Sequence, residues 1–274
     1  MKAFDSQPSN VDSSLDDAMP TGSRMMGCVL SGLTLCGGLL SAVVSTSKWK
    51  AVMYVDDIVA EARNRLEILG KGDDLRTGDV RKVSSELYKT LEDKSIDNVF
   101  VLCARLLDER EWALGIIAYD WAYRVRKQYN DKTFAIFESW LKEYVTGWGD
   151  CDDFCTHAFG ELLSQNNELF TQVIEWTGDP DFCVRRASAV VLIYPIRRNR
   201  YEGIDPFLIS DFLMHDSHHL VLQGYGWMLK VLSQVERDSV YDYLVRNKTT
   251  MPRTAFRYAL EKFDEETRSR LMED

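Results

Sequence analysis

The stretch LFTQVIEWTGDPDFCVRRASAVVLI (residues 169–193) combines a short apolar helix pattern, a polar turn and a second helix pattern with small residues at its centre. The same arrangement returns in residues 206–232 and again in residues 239–263. Units repeated roughly every 30 to 40 residues are typical of an α-solenoid of the HEAT type, in which neighbouring helix pairs bury each other's apolar faces. We therefore predict an all-α fold, a curved array of HEAT-like helical pairs whose second helices line a concave groove.

Apolar residues spaced three and four positions apart continue from about Lys50 to the C-terminus, interrupted by polar and turn-forming runs. No stretch shows the sustained alternation that is typical of a strand. The predicted helices, in chain order, cover Ala51–Leu69, Gly78–Leu91, Ile96–Leu107, Glu109–Lys127, Lys132–Val145, Asp150–Ser164, Leu169–Thr177, Pro180–Tyr194, Pro206–Met214, Ser217–Ser233, Asp238–Arg246 and Pro252–Lys262.

The sequence before residue 51 has a different character, so we predict a leader over residues 1–50 and a single helical domain over residues 51–274. Residues 1–24 are polar and rich in Ser and Asp, which predicts a disordered tail. Residues 25–44 carry no charge and are long enough to cross a bilayer core of about 30 Å, but Gly, Ser and Thr dilute them. A weak membrane anchor is one interpretation of this stretch. A mobile apolar leader, or residues upstream of a natural start near Met53, are the two that we favour.

Composition limits the class of protein and the kind of site. The chain has 274 residues, of which 45% are hydrophobic and 28% charged, as in ordinary globular proteins. Its six cysteines form no CxxC pair, which argues against a zinc ribbon, a thioredoxin-type dithiol and a disulfide framework. A reducing compartment, and so the cytoplasm, is the simpler interpretation.

The net charge of −10 by itself argues against a nucleic-acid partner, because Lys and Arg drive phosphate binding. The distribution of charge weakens that argument, since residues 181–274 carry 14 Lys and Arg against 14 Asp and Glu. Five arginines in this part form either a phosphate-binding patch or a solvated cluster at a helix end: Arg185, Arg186, Arg197, Arg198 and Arg200.

The densest polar cluster is GWGDCDDFCTH (residues 147–157). Asp150 at an N-cap, with Asp153 three residues later, explains two of its aspartates as helix caps. Trp148 and Asp152 are four residues apart and share a face if the helix begins at Trp148 or earlier. An aromatic ring beside a carboxylate suits a cationic ligand.

Two other kinds of site use the same stretch with less support. A zinc site built from Cys151, Cys155, His157 and an aspartate lacks a recognised ligand spacing. A nucleophile pair of Cys155 and His157 would have its side chains on different sides of the helix. The residues therefore favour neither a zinc site nor a Cys–His nucleophile here.

Two glycines lie inside a helical pattern further along the chain, at Gly224 and Gly226, just before Trp227. Each costs on the order of 1 kcal/mol relative to Ala in a helix. Close helix packing or close approach of a ligand would explain them. Trp227 itself is either a core residue or part of a site.

Taken in order, four motifs resemble those of the AlkD-like DNA alkylation repair family, whose members are HEAT-like repeat DNA glycosylases. The resemblance extends over about residues 53 to 270. Its motifs are Trp148-x-x-x-Asp152, Val184-Arg185-Arg186-Ala187, Gly224-x-Gly226-Trp227-x-Leu229-Lys230, and Pro252-Arg253-Thr254-Ala255 followed by Tyr258-Ala259 and Lys262.

The resemblance implies an enzyme that binds duplex DNA in the groove and releases cationic N3- or N7-alkylated purines by hydrolysing the N-glycosidic bond. It assigns Asp152 as the catalytic carboxylate, which stabilises the oxocarbenium ion and orients the water. Trp148 and Trp227 would flank the lesion, and Arg186 would grip the backbone beside it. Arg185 and Lys230 would also bind the DNA. No metal or cofactor is implied, and a monomer suffices.

Two positions depart from the family pattern. Cys183 stands where many members have a large aromatic residue, which predicts an altered wall of the site, and Lys230 stands where some relatives have Arg. The alternative function is a catalytically inactive HEAT-like scaffold that binds nucleic-acid structure or a protein partner through the same groove. A third is a membrane-tethered adaptor that uses residues 25–44.

Overall fold

The computed structural model describes residues 40–70 and 75–273, with side chains from residue 54 onward. The chain divides into residues 1–45 and residues 46–274, and the second unit is the one described below. The predicted tail over residues 1–24, and residues 25–39 of the uncharged stretch, lie outside the described residues. Within the described ranges, no helix is both long and apolar enough to cross a membrane.

Every regular element of the described ranges is helical, which confirms the all-α prediction. The α-helices are α1 (Leu40–Leu69), α2 (Thr77–Thr90), α3 (Ile96–Asp108), α4 (Trp112–Arg124), α5 (Thr133–Tyr144), α6 (Trp148–Phe154), α7 (Gly160–Gln165), α8 (Phe170–Glu175), α9 (Phe182–Val190), α10 (Ile193–Arg197), α11 (Pro206–Leu213), α12 (His219–Leu232), α13 (Arg237–Arg246), α14 (Arg253–Leu260) and α15 (Glu265–Met272).

The second helices of successive pairs pack side by side in one row. Helix α2 contacts α4, α4 contacts α6, α6 contacts α9, α9 contacts α12, and α12 contacts α14. The first helix of a pair packs on its own second helix, as α3 does on α4 and α11 on α12. This is the HEAT-like α-solenoid that the repeated pattern predicts.

Aromatic side chains in the core hold the helix that carries Trp148 and Asp152. Phe154, at the end of α6, is fully buried and stacks on Tyr119 of α4, with 4.5 Å between ring centroids. Its ring also meets Phe137 of α5 edge-on at 5.2 Å. The start of α6 is therefore fixed by core packing at the other end of the same short helix.

The prediction of one helix over Asp150–Ser164 is wrong in two respects, the residue at which the helix begins and its continuity. Helix α6 begins at Trp148 with Gly147 as N-cap, so Asp150 is not the cap. After α6 the chain makes a π-helical turn over Cys155–Phe159 before α7 begins. A side chain at Gly160 would collide with the Cβ of Tyr194 and with the carbonyl of Cys155, so only glycine fits where the turn closes.

The predicted and observed helices differ most at three further places. Helix α1 begins at Leu40 instead of Ala51. The predicted helix Pro180–Tyr194 is two helices, α9 and α10, because Pro195 has no N–H to donate and its ring clashes with the carbonyl four residues earlier. Helix α15 was not predicted, since its sequence is polar and only Leu271 is buried.

Candidate active site

A pocket of about 360 Å³ opens between α6, α9, α12 and α14. Its volume falls in the range of about 300 to 1,000 Å³ that is usual for small-molecule sites. Four of the residues to which the sequence assigned a role in the site, Trp148, Asp152, Arg186 and Trp227, meet in it, although they come from three helices. The lining residues are Trp148, Asp152, Arg186, Leu220, Gln223, Trp227 and Tyr258.

Trp148 and Asp152 reach the pocket from the first turns of α6. Because the helix begins at Trp148, the two side chains are one turn apart on the same face. Trp148 is 59% exposed, which is unusual for an indole, and offers its ring to whatever occupies the pocket.

Arg186 of α9 holds Asp152 with two parallel hydrogen bonds. Its Nε donates to Oδ1 and its Nη2 to Oδ2, both at 2.9 Å. Nη1 donates to the carbonyl of Leu220. The residue is only 4% exposed, so its guanidinium is committed to the carboxylate and is not free to reach a phosphate. Arg186 nevertheless lines the pocket, and its role in gripping the DNA backbone stays a prediction.

Gly224 of α12 makes this arrangement possible. A Cβ at that position would lie 3.1 Å from Cγ of Arg186 and 3.4 Å from its Nη1. Of the two explanations for this glycine, close helix packing is the correct one, because the group that approaches it is Arg186 of the neighbouring helix α9.

The environment of Asp152 acts on its pKa in two opposite directions. Burial raises the pKa of this carboxyl above its ordinary value, while the charge and hydrogen bonds of the Arg186 guanidinium act against that increase. The side chain keeps 19% of its surface exposed, toward the pocket. Asp152 is thus a carboxylate with a fixed orientation and an open side.

The three aspartates of the cluster point in three different directions. Asp153 forms an ion pair with Arg81 of α2. Asp150 lines a separate, smaller pocket beside Trp112 and Tyr119, and burial raises its pKa. Only Asp152 reaches the candidate site, so the other two carboxylates add no charge to its lining.

The nearby cysteines and histidine form no second site. Cys151 and Cys155 are fully buried. His157 faces Arg81, with 3.4 Å between its Nε2 and Nη1 of that arginine. Among the described residues, no group of three His, Cys, Asp or Glu side chains is arranged to hold a metal ion.

Trp227 and Tyr258 form the side of the pocket opposite α6. Gly226 allows α14 to approach, because a Cβ there would lie 2.7 Å from the carbonyl oxygen of Ala255. Close helix packing therefore explains this second glycine. Tyr258 was part of the fourth motif but had no role assigned to it, and Gln223 and Leu220 were not identified from the sequence. The only signal for these last two was spacing, since Leu220 and Gln223 precede Trp227 by seven and four residues on the same helical face.

The other predicted DNA-binding residues lie outside the pocket. Arg185 forms an ion pair with Asp216, with 2.6 Å between Nε and Oδ2, and donates to the carbonyls of Asp179 and Pro180. Although burial alone would raise the pKa of Asp216, hydrogen bonds from Arg185 and the His218 amide lower it.

Lys230 is not a lining residue of the pocket but lies beside one, Tyr258. Its Nζ is 2.9 Å from Oε2 of Glu261 and 5.7 Å from the ring centroid of Tyr258. Cys183 is 1% exposed and is not among the lining residues. Its side chain is turned into the core, so Cys183 itself forms no part of the pocket wall.

A comparison with known proteins identifies the family of the chain. The sequence profile of the DNA alkylation repair enzymes matches residues 53–263. The chain belongs to this DNA alkylation repair family. A solved structure, a predicted DNA alkylation repair enzyme from Enterococcus faecalis, has a similar fold, with a TM-score of 0.56 at 11% sequence identity. The similarity covers 77% of this chain and 95% of that one. No curated protein matches the chain.

Proposed function

We propose that this member of the DNA alkylation repair family is a DNA glycosylase. It hydrolyses the N-glycosidic bond of purines alkylated at N3 or N7 in duplex DNA. The observation that carries the proposal is the position of Asp152. A carboxylate held by a buried arginine forms one wall of a pocket whose other walls include Trp148, Trp227 and Tyr258.

The pocket suits a cationic base better than a neutral one. Alkylation at N3 or N7 gives the purine a positive charge, and a cation over an aromatic face gains about 0.5 to 2 kcal/mol. Three aromatic side chains line the site, and the carboxylate of Asp152 adds charge attraction. A neutral base would have only the stacking and apolar contacts.

The reaction needs one carboxylate and a water molecule. The bond between C1′ and the base nitrogen breaks, and its electron pair stays with the base, which leaves as a neutral purine. Positive charge then develops on the deoxyribose, where Asp152 stabilises it. Water attacks C1′ and gives up a proton to Asp152 or to solvent. Arg186 acts through Asp152, which makes it a positioning residue.

The test is release of free alkylpurine from methylated duplex DNA by the full chain and by Asp152→Asn. We expect release by the parent and none by the variant, with duplex binding retained. Asp150→Asn is the matched control, because that carboxylate lies on the same helix but faces another pocket. Equal release by the parent and Asp152→Asn would show that another group performs the reaction.

The alternative is a HEAT-like scaffold without activity. Two observations favour it: both oxygens of Asp152 already accept hydrogen bonds from Arg186, and the chain carries a net charge of −10. A scaffold predicts no release of base by the folded parent under any condition, together with binding to DNA or to a protein that Asp152→Asn leaves unchanged.

A further inference from the structure

Arginine and tyrosine side chains form a row beside the pocket and outside it. Arg126, in the 3₁₀ turn after α4, lies over the ring of Tyr123, with 4.4 Å between Cζ and the ring centroid. The hydroxyl of Tyr123 is 2.9 Å from that of Tyr194 on α10. Arg198, at the end of α10, lies over the ring of Tyr194 at 5.1 Å.

The row reaches the candidate active site through the neighbouring arginine. Cζ of Arg197 is 5.9 Å from the ring of Trp227, which is a wall of the pocket. We name Arg126, Tyr123, Tyr194, Arg198 and Arg197 the arginine–tyrosine row. It extends from the C-terminal end of α4 across α10 to α12.

The arginines of the row have no acidic partners among the described residues. Elsewhere, arginines such as Arg63, Arg105 and Arg185 lie within 4.0 Å of carboxylates, but Arg126, Arg197 and Arg198 form no such pair. Arg197 and Arg198 are exposed and Arg126 is half-buried.

Helix dipoles account for part of this arrangement only. A positive charge at the C-terminal end of a helix is favourable, and Arg126 and Arg197 lie at the ends of α4 and α10. That effect does not explain why guanidinium groups on neighbouring elements are held over tyrosine rings and form no ion pair with a carboxylate. A bound anion would supply this missing partner.

We propose that the arginine–tyrosine row binds phosphates of the DNA backbone next to the lesion pocket. Guanidinium groups fixed on tyrosine rings are ordered before binding, and a guanidinium matches a phosphate with two parallel hydrogen bonds. Such contacts set the position of the duplex and read no sequence. The proposal rests on the proposed function in taking duplex DNA as the ligand. It assigns backbone binding to residues other than Arg185 and Arg186.

The experiment measures equilibrium binding of the full chain to an undamaged duplex across a series of salt concentrations. For each phosphate that a variant no longer neutralises, the slope of log K against log salt falls in magnitude by about 0.9. We expect this fall for Arg126→Gln and for Arg198→Gln, and about twice that for Arg197→Gln combined with Arg198→Gln. Arg198→Lys keeps the charge and should keep the slope.

Arg246→Gln is the matched control. Arg246 is exposed at the end of α13, and its side chain donates only to the carbonyl of Asp242 on its own helix. Its replacement should leave the slope unchanged. An unchanged slope in the row variants, or no binding of the duplex by the parent, overturns the proposal.

Base release by the same proteins separates this proposal from the proposed function. If the parent releases no base but the row variants lower the salt slope, the glycosylase proposal is contradicted and phosphate binding by the row is supported. If the parent releases base and the row variants keep the salt slope of the parent, the glycosylase proposal is supported and phosphate binding by the row is contradicted. Binding of an acidic protein in place of DNA would appear as an absence of duplex binding, and so counts against the row.

Discussion

Gly226 and Tyr258 are in contact because residue 226 has no side chain: a Cβ there would lie 2.8 Å from the Cβ of Tyr258. Because Gly226 has no Cβ, α14 can pack closely against α12. This packing sets how near the Tyr258 ring lies to the candidate active site.

Gly226→Ala should push α14 away from α12. We expect the free energy of unfolding to fall by about 1–3 kcal/mol, because the backbone of Ala255 cannot move aside as a flexible side chain could. Base release should fall as well, since Tyr258 would leave the pocket. Urea denaturation and base release measure the two effects. Gly178→Ala is the control, because a Cβ there meets nothing within 4 Å. Equal effects of the two substitutions would contradict the packing argument.

Tyr258→Leu should reduce kcat/KM for a cationic lesion by about 2- to 30-fold, which corresponds to a cation–π interaction of about 0.5 to 2 kcal/mol. Tyr258→Phe keeps the ring and should retain most of the activity. Base release at limiting substrate gives the comparison. If both substitutions lower kcat/KM equally, the hydroxyl matters and the ring does not.

Asp152 and Arg186 should behave as one unit in stability measurements. Asp152→Asn leaves a buried guanidinium without its counter-charge, and Arg186→Met leaves a desolvated carboxylate. Each should lower the free energy of unfolding by about 1–3 kcal/mol. The double variant should lose less than the sum of the two, by about 0.5 kcal/mol or more. A strictly additive result would mean that the pair contributes no coupling energy.

Base release should decline on acidification at a pH above the ordinary pKa of an aspartate. The reaction requires Asp152 to be ionised, and burial raises the pKa of this group from 3.8 despite the opposing effect of Arg186. Activity should therefore be full above the raised pKa and be lost as the pH falls through it. The pH–rate profile of base release measures the pH of this decline. The rate with Asp152→Asn is subtracted at each pH to remove spontaneous base loss. A decline at or below 3.8 would contradict the expectation.

Local patterns in the sequence predicted most of the helices, because apolar spacing and turn residues act over a few positions. The start of α3 at Ile96 was predicted, and the structure shows the Ser95 side chain capping it. The π-helical turn was not predicted, since it depends on Tyr194 packing against Gly160 from another helix. The cap of α15 was a signal that could have been used: Asp264 accepts a hydrogen bond from the amide of Thr267.

The candidate site was predicted only in part, for a similar reason. The motifs placed Trp148, Asp152 and Trp227 in one site, and these residues do line one pocket. The resemblance also placed Arg186, and not Arg185, beside the lesion, and Arg186 lines the same pocket. How each arginine is held could not be predicted from two adjacent letters. It depends on partners more than 30 residues away, Asp216 for the first and Asp152 for the second.

The π-helical turn at Cys155–Phe159 also sets the direction in which the pocket residues face. Successive residues of an α-helix are about 100° apart around its axis. Removing one residue from this turn, so that it becomes ordinary α-helix, would rotate α6 by about that angle relative to α7. Trp148 and Asp152 would then leave the pocket without any change in their identity. The number of residues in this turn therefore determines the site as much as the identities of the side chains that line it.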